Sequence, residues 1–406
     1  MKITKNFNTY PFEYHSVIEL QIDFIANLGL GVGRYNNWVV MVPFVLVGEI
    51  VKVRIYKNHT NYSEADLLEV IKPSSYRVFP KCTLFSKCGG CQYQHITYSE
   101  QLKIKTKQVQ DLLMKNGSIN HDVLIAKPSP KVYGYRTKIT PHYQRPNKDG
   151  QQPIGFLAHG RRYDIIDVQN CPIATDAINN ELPSIRAKAR LEGGKKRRKR
   201  GGTLLIRDTL EGIATNPKDI VSEKVGPYTF QFKAGEFFQN NASIVSDLVD
   251  YVKEAVLVDS VDYLVDAYCG VGLFALSCSD LFKAIVGIEI SEPAIQLANA
   301  NACIHNLSNV RFKIGKAEYI FQDLEFPGFS SSLIIDPPRK GCDLAFIDQV
   351  LDFSPRRIVY VSCDPSTQAR DLRLFIDAGY NLIEVQPFDL FPHTRHIESV
   401  AVLHKD

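Results

Sequence analysis

Asp266-Ala267-Tyr268-Cys269-Gly270-Val271-Gly272 closes a short apolar run that begins at Tyr263, and Leu273 onward reads as helix. A strand that breaks into glycines and then a helix is a place where backbone can approach a ligand closely, so Gly270 and Gly272 are candidate cofactor-binding positions. Outward from this turn the pattern repeats. Ile285 to Ile290 is the next apolar strand. Ser291 caps a helix running towards Asn306, with Pro293 tolerated in its first turn. Leu333 to Ile335 leads into Asp336-Pro337-Pro338, and Arg357 to Val361 leads into Ser362-Cys363. Alternating strand and helix predicts a Rossmann-like, doubly wound α/β sheet over residues 226–406. Such sheets hold ligands beyond the carboxyl ends of their strands.

Residues 1–74 read differently. Val17 to Ile22, Trp38 to Val42 and Ile50 to Ile55 are short apolar or alternating runs, with Gly29, Gly31 and Gly33 punctuating the first turn. A small β-barrel of the OB type fits this spacing. Residues 75–225 form a mixed, strand-rich central domain with a helix from about Ser99 to Lys115, expected to pack on the catalytic domain. The composition, 45% hydrophobic and 23% charged over 406 residues, excludes a disordered chain. No apolar run is long enough to span a bilayer and the N-terminus lacks a leader-like apolar stretch, so a soluble, cytoplasmic protein with no membrane partner is expected. The net charge of +4 is concentrated in Lys195–Arg200; without those six charges the chain stands at −2. Flanking glycines make that tract a loop, either solvated or a phosphate-contacting arm.

Four constellations carry chemistry. Glu289, at the end of the second strand, can accept hydrogen bonds from ribose hydroxyls, which suits a dinucleotide and S-adenosylmethionine equally. Asp336-Pro337-Pro338-Arg339 at a strand end favours S-adenosylmethionine, because the [Asp/Asn]-Pro-Pro pattern is familiar from methyltransferases. Cys363 also sits where the sheet opens, unlike Cys278, Cys303 and Cys342, which read as small apolar residues. Finally, Cys82-x5-Cys88-x2-Cys91 with the distant Cys171 suits tetrahedral zinc or a four-iron four-sulfur (4Fe-4S) cluster. Tyr133, Tyr135 and Arg136 read as core aromatics and a surface cation, or as an RNA-stacking group.

Asp336-Pro337-Pro338-Arg339-Lys340-Gly341, Tyr360-Val361-Ser362-Cys363 and Phe388-Asp389-Leu390-Phe391-Pro392-His393-Thr394-Arg395-His396-Ile397-Glu398 resemble the motifs of the RNA uracil-C5 methyltransferases. Phe237-Phe238-Gln239-Asn240-Asn241 resembles that family's cofactor-adjacent motif. Val42-Pro43-Phe44 through Gly48-Glu49 looks like a TRAM domain, an RNA-binding barrel. The resemblance implies Cys363 as nucleophile, Glu398 as general base, and Gln239, Tyr268, Glu289 and Asp336 as S-adenosylmethionine contacts. It also implies that Cys82, Cys88, Cys91 and Cys171 carry a 4Fe-4S cluster. The expected product is 5-methyluridine in RNA, 23S ribosomal RNA first and transfer RNA as the alternative, made by a monomer. A non-catalytic iron–sulfur RNA-binding protein is the alternative of a different class. Two departures from the family stand out. Asp364 replaces the usual Asn after the nucleophile, and a second carboxylate there should raise the thiol's pKa. Leu273 replaces an Asn found in some members, so no polar cofactor contact is expected from it.

Overall fold

Val51, Val53 and Ile55 are buried while Lys52 between them is exposed, the period-2 signature of a strand with one face on a core. In the computed structural model, which describes residues 7–146, 150–193, 201–315, 321 and 324–406, this strand belongs to the first of two compact units. The Lys195–Arg200 tract lies outside the described residues. The first unit comprises Met1–Gln108, Leu157–Asp164 and Pro392–Arg395. The second comprises Val109–Phe156, Ile165–Phe391 and His396–Asp406.

The first unit holds a barrel-like six-stranded sheet. Its strands are Val17–Gln21, Phe24–Ile25, Leu30–Tyr35, Trp38–Pro43, Ile50–Asn58 and Tyr62–Lys72, in the spatial order first, fifth, sixth, fourth, third, second. Gly31 and Gly33 lie inside the third strand, not in the turn expected for them. The reason is crowding: a Cβ at Gly31 would come within 2.1 Å of Val45 Cγ2, and one at Gly33 within 2.1 Å of Gln21 O. Only Gly29 makes the turn, at a φ of +76°. Glu49 is fully buried and closes the loop after the fourth strand. It accepts from the Leu46 and Ser74 backbone N–H groups and from Arg77 Nε and Nη2, at 2.6–3.1 Å.

In the second unit a seven-stranded sheet runs Val310–Ile314, Ala284–Glu289, Tyr263–Ala267, Ser331–Ile335, Arg357–Ser362, Glu398–His404, Asn381–Phe388. The first five strands are parallel; Glu398–His404 pairs antiparallel with both its neighbours, so Asn381–Phe388 beyond it runs in the same direction as the first five. Leu264, Val265, Leu333, Ile334, Ile358 and Val359 are wholly buried, as expected for strands covered on both faces. Helices Leu273–Ser277, Glu292–Ile304, Leu344–Phe353 and Pro365–Asp377 follow four of the strands, and Ser291 caps the second of these through its hydroxyl as the sequence predicts. Chain order reverses between Tyr263–Ala267 and Ser331–Ile335, so the ligand crevice of this fold opens beyond Ala267 and Ile335. Val109 and Leu113, on the helix Tyr98–Gly117, share a core with Ala369 and Leu372. No helix among the described residues is long and apolar enough to cross a membrane.

Removing one partner of the buried Glu49–Arg77 pair strands the other charge. Glu49→Ala is therefore expected to destabilise the first unit by about 3–5 kcal/mol, measured by urea unfolding, with Glu49→Gln intermediate.

Candidate active site

The turn after Tyr263–Ala267 is built by a buried carboxylate. Asp266 Oδ2 accepts from the Ala275 N–H at 2.9 Å and holds the following helix against the strand end. Asp266 Oδ1 has no hydrogen-bond partner among the described residues. Burial pushes the Asp266 carboxyl up to about 8; the Ala275 N–H opposes this, and the Asp336 and Glu289 charges add to it. Tyr268 ends the strand one residue earlier than its apolar run predicts, because its φ is +64°. Its ring meets Phe346 edge-on at 5.4 Å.

Gly270 has a φ of +55°, and a Cβ there would meet nothing within 4 Å, so open space adjoins the turn. Glu289 ties the second strand to this loop. Its Oε2 accepts from Gly270 N–H at 3.3 Å and its Oε1 from Ser291 N–H at 3.0 Å. Each oxygen keeps a further lone pair for a ligand hydroxyl. An unpartnered buried carboxylate oxygen, an open glycine turn and a fixed acceptor at the next strand end fit a ligand with an ammonium group and a ribose, as S-adenosylmethionine has.

The reactive groups sit two strands further on. The antiparallel ladder pairs Ser362 with Ser399 and Val361 with Val400, so the same register puts Cys363, one residue past its strand, opposite Glu398. Cys363 is half-buried and Glu398 is buried. Burial, with the Glu398 and Asp336 charges, pushes the Cys363 thiol up to about 11, and a hydrogen bond and charge from Arg339 pull the other way. Burial also raises Glu398 well above the carboxylate range; Asp336 raises it further and Arg339 counters this. Asp336 is raised by burial as well. Arg339 Nη2 lies 3.4 Å from His396 Nδ1. The cluster thus holds a thiol, two carboxyls raised above the usual carboxylate range, and one guanidinium that favours the thiolate.

The other residues singled out in the sequence take varied places. Asp364 does not act as a second carboxylate on the thiol. Its Oδ1 accepts from Ser366 and Thr367 N–H and caps the helix Pro365–Asp377, a role Asn fills equally well. Tyr135 is core, and Arg136 donates from Nε to the Lys138 carbonyl at 2.9 Å. Leu273 is buried among apolar side chains. Gln239 is buried in the loop after strand Tyr228–Lys233, next to the exposed Phe237. Cys82, Cys88 and Cys91 lie in the first unit and Cys171 in the second, all half-buried and none in a disulfide. Gly90 N–H points at Cys88 Sγ at 3.4 Å. Among the described residues there is no group of three or more His, Cys, Asp or Glu that could hold a metal ion. Sequence reading assigned no role to Asp266 or Arg339, although both stand inside the motifs it quoted.

Comparison with known proteins agrees with this geometry. The family described as tRNA (Uracil-5-)-methyltransferase matches residues 218–406, and the TRAM domain matches residues 13–68. The chain is 42% identical to the tRNA (uracil(54)-C(5))-methyltransferase of Schizosaccharomyces pombe, over 97% of this chain and 79% of that protein. It is 34% identical to the Saccharomyces cerevisiae protein of the same name, over 96% and 74% respectively. An uncharacterized RNA methyltransferase of Bacillus cereus is 30% identical over 97% of this chain and 98% of its own length. The crystal structure of Pyrococcus abyssi tRNA (uracil-54, C5)-methyltransferase in complex with S-adenosyl-L-homocysteine shares the fold, with a TM-score of 0.75 at 24% identity over 95% of this chain and all of that one. The chain belongs to the TRAM-bearing RNA uracil-C5 methyltransferases, and its catalytic unit has the fold of the S-adenosylmethionine-dependent methyltransferases.

A thiol raised to about 11 is protonated at neutral pH. Its alkylation by iodoacetamide, followed by peptide mass spectrometry, should therefore speed up about tenfold per pH unit between about pH 7 and 10. Arg339→Ala should slow it further. A plateau reached near pH 8 would contradict the assigned surroundings.

Proposed function

We propose that this chain methylates C5 of uridine 54 in transfer RNA, with Cys363 as nucleophile, Glu398 as base and S-adenosylmethionine as methyl donor. The observation that carries the chemistry is the strand register that sets Cys363 opposite Glu398, with Arg339 on the thiol. The names of the two fungal relatives support transfer RNA, the alternative of the sequence reading, over ribosomal RNA.

Gln239, Tyr268, Gly270, Gly272, Glu289 and Asp336 would hold S-adenosylmethionine, and the open Asp266 Oδ1 would face its ammonium side. The uridine must leave its stack to reach groups set at strand ends. Arg339 stabilises the Cys363 thiolate, which adds to C6 and forms the S–C6 bond. The C5–C6 π electrons become an enolate, and C5 becomes nucleophilic. When bound, the cofactor supplies the electrophilic methyl group that C5 takes. C5 then carries both the methyl group and its original hydrogen. Glu398 removes that proton, the C5–C6 double bond re-forms and the Cys363 thiolate is expelled. Burial makes Glu398 a stronger base than a solvated carboxylate.

Both working groups have raised pKa values and both act deprotonated. The sign is therefore one-directional: kcat/KM should rise from about pH 6 to 9 without a falling limb in that range. Tritium release from C5-tritiated uridine tests the reaction. Release is expected from transfer RNA carrying uridine 54, and little from ribosomal RNA or from transfer RNA with cytidine at that position. Cys363→Ala should abolish release with cofactor binding retained, and Glu398→Gln should accumulate a covalent protein–RNA adduct. Preferential release from ribosomal RNA would overturn the substrate; turnover by Cys363→Ala would overturn the nucleophile.

A 4Fe-4S cluster on Cys82, Cys88, Cys91 and Cys171 is proposed on the resemblance of this quartet to cluster-bearing family members, and no catalytic step passes through it. Iron and sulfide analysis of anaerobically purified protein tests it. Stoichiometric iron lost in Cys88→Ser supports the cluster; iron-free, active protein removes it.

A further inference from the structure

The loop Ala234–Asn240 carries Gln239 and is wrapped around two cations. Arg207, on the strand Ile206–Thr209, is only 1% exposed. Its Nη1 donates to the carbonyls of Ala234 and Glu236, each at 3.1 Å. Its Nη2 donates to the Phe238 carbonyl and to Asn240 Oδ1, each at 3.3 Å. The acceptors fall on alternate residues, 234, 236, 238 and 240, so one guanidinium reads one edge of the whole loop. Lys138, from the strand Lys138–Ile139, donates to the Gly235 and Glu236 carbonyls at 3.1 and 3.0 Å.

The residues on either side of Gln239 are fixed twice each. The Phe238 ring stacks on Phe232 at 4.4 Å, and Phe232 in turn lies under the Arg207 guanidinium at 4.8 Å. The Asn240 carbonyl accepts from Thr137 N–H at 2.9 Å. Asn241 then donates from Nδ2 to the Leu390 carbonyl at 2.9 Å. Phe237, by contrast, is 72% exposed.

All of these acceptors are neutral oxygens, which makes the arrangement costly. Burial, then Arg207 and Arg136, push the Lys138 ammonium down to about 8, and burial lowers Arg207 while Glu223 opposes this. Burying Arg207 among neutral oxygens, with the half-buried Lys138 ammonium beside it, destabilises the fold by itself. A turn needing only stability could be closed by its own backbone hydrogen bonds. Here one backbone bond, from Glu236 N–H to the Lys233 carbonyl, is joined by two side-chain cations that hold the Ala234, Gly235, Glu236 and Phe238 carbonyls and the Asn240 amide oxygen, in a segment that has one buried amide side chain to present.

We propose that Arg207, assisted by Lys138, is a positioning residue that clamps the Ala234–Asn240 loop so that Gln239 is held ready for the methyl donor. The proposal rests on the reading of Gln239 as a cofactor contact. The clamp acts before the cofactor arrives: it removes loop freedom that binding would otherwise have to remove. Losing it therefore weakens cofactor binding more than it slows the bound enzyme. Lysine at position 207 keeps the charge but cannot reach four acceptors spread along the loop.

The test uses the full chain and calorimetric titration with S-adenosylhomocysteine, thermal unfolding, and steady-state kinetics in S-adenosylmethionine. Arg207→Met should weaken binding and raise KM roughly tenfold or more with kcat little changed. Arg207→Lys should recover part of the loss, and Lys138→Met should lose less in the same direction. If Arg207→Met fails to fold, Lys138→Met and Arg207→Lys carry the test. Gln239→Ala should weaken binding similarly, and the double variant with Arg207→Met should be no worse than the weaker single one, because both changes remove the same contact. Wild-type binding by Arg207→Met and Lys138→Met, with Gln239→Ala weakened, overturns the clamp and leaves the Gln239 contact standing. Additive losses in the double variant also overturn the clamp. Wild-type binding by Gln239→Ala overturns the contact itself, and with it the purpose assigned to the clamp.

Discussion

The ladder between Arg357–Ser362 and Glu398–His404 constrains everything at the reactive end of this protein. Side chains alternate between sheet faces, so a slip of one residue would turn Glu398 away from Cys363 and set Ile397 or Ser399 opposite the thiol. The register is pinned from outside the ladder too. Gln368 donates from one amide nitrogen to the Tyr360 and Ser399 carbonyls at 2.8 and 3.1 Å, stitching the two strands together near the thiol. Asp371 accepts from the Tyr360 hydroxyl and from Cys342 N–H, both at 2.8 Å. That bond fixes the segment following Arg339 to the same strand. An antiparallel partner for a parallel sheet thus supplies what the parallel strands alone cannot: a second carboxyl facing a strand-end nucleophile.

The same strand ends gather Asp266, Glu289, Asp336 and Glu398 around a single crevice. Burial raises Asp266, Asp336 and Glu398 above the usual carboxylate range, and neighbouring carboxyl charges add to this for Asp266 and Glu398. That is a poor arrangement for stability and a useful one for proton transfer at pH 7. Arg339 offsets part of the repulsion and is the cation that bears on both Cys363 and Glu398. The Asp266 turn and the Cys363–Glu398 pair are therefore electrostatically one system through Asp336, although they stand on different strands.

Much of this was legible in the chain. Strand ends at Asp266, Glu289, Asp336 and Cys363 follow from apolar runs broken by glycine or proline, since strands buried on both faces must be continuously apolar. The Ser291 cap follows from its hydroxyl and Pro293. Other features needed three dimensions. The antiparallel pair Asn381–Phe388 and Glu398–His404 is not legible in the sequence, because the motif between them holds Pro392 and turn residues that carry no period. Gly31 and Gly33 read as turn residues, since nothing local announces the neighbours a Cβ would strike. Asp364 looked like an electrostatic burden until its oxygen was seen capping a helix. Arg207 lies in an ordinary strand run; its four acceptors are backbone or amide oxygens on a loop nearly thirty residues away, which no spacing rule reports.

The most direct measurement replaces the C5 hydrogen of uridine 54 with fluorine, which Glu398 cannot remove as a proton. Incubation of this transfer RNA with S-adenosylmethionine and the wild-type chain should stop after methyl transfer and leave a denaturation-stable adduct. Peptide mass spectrometry should place the methylated fluorouridine on Cys363. An adduct on another cysteine, or none from fluorinated RNA shown to bind, would contradict the pairing of thiol and carboxyl across the ladder.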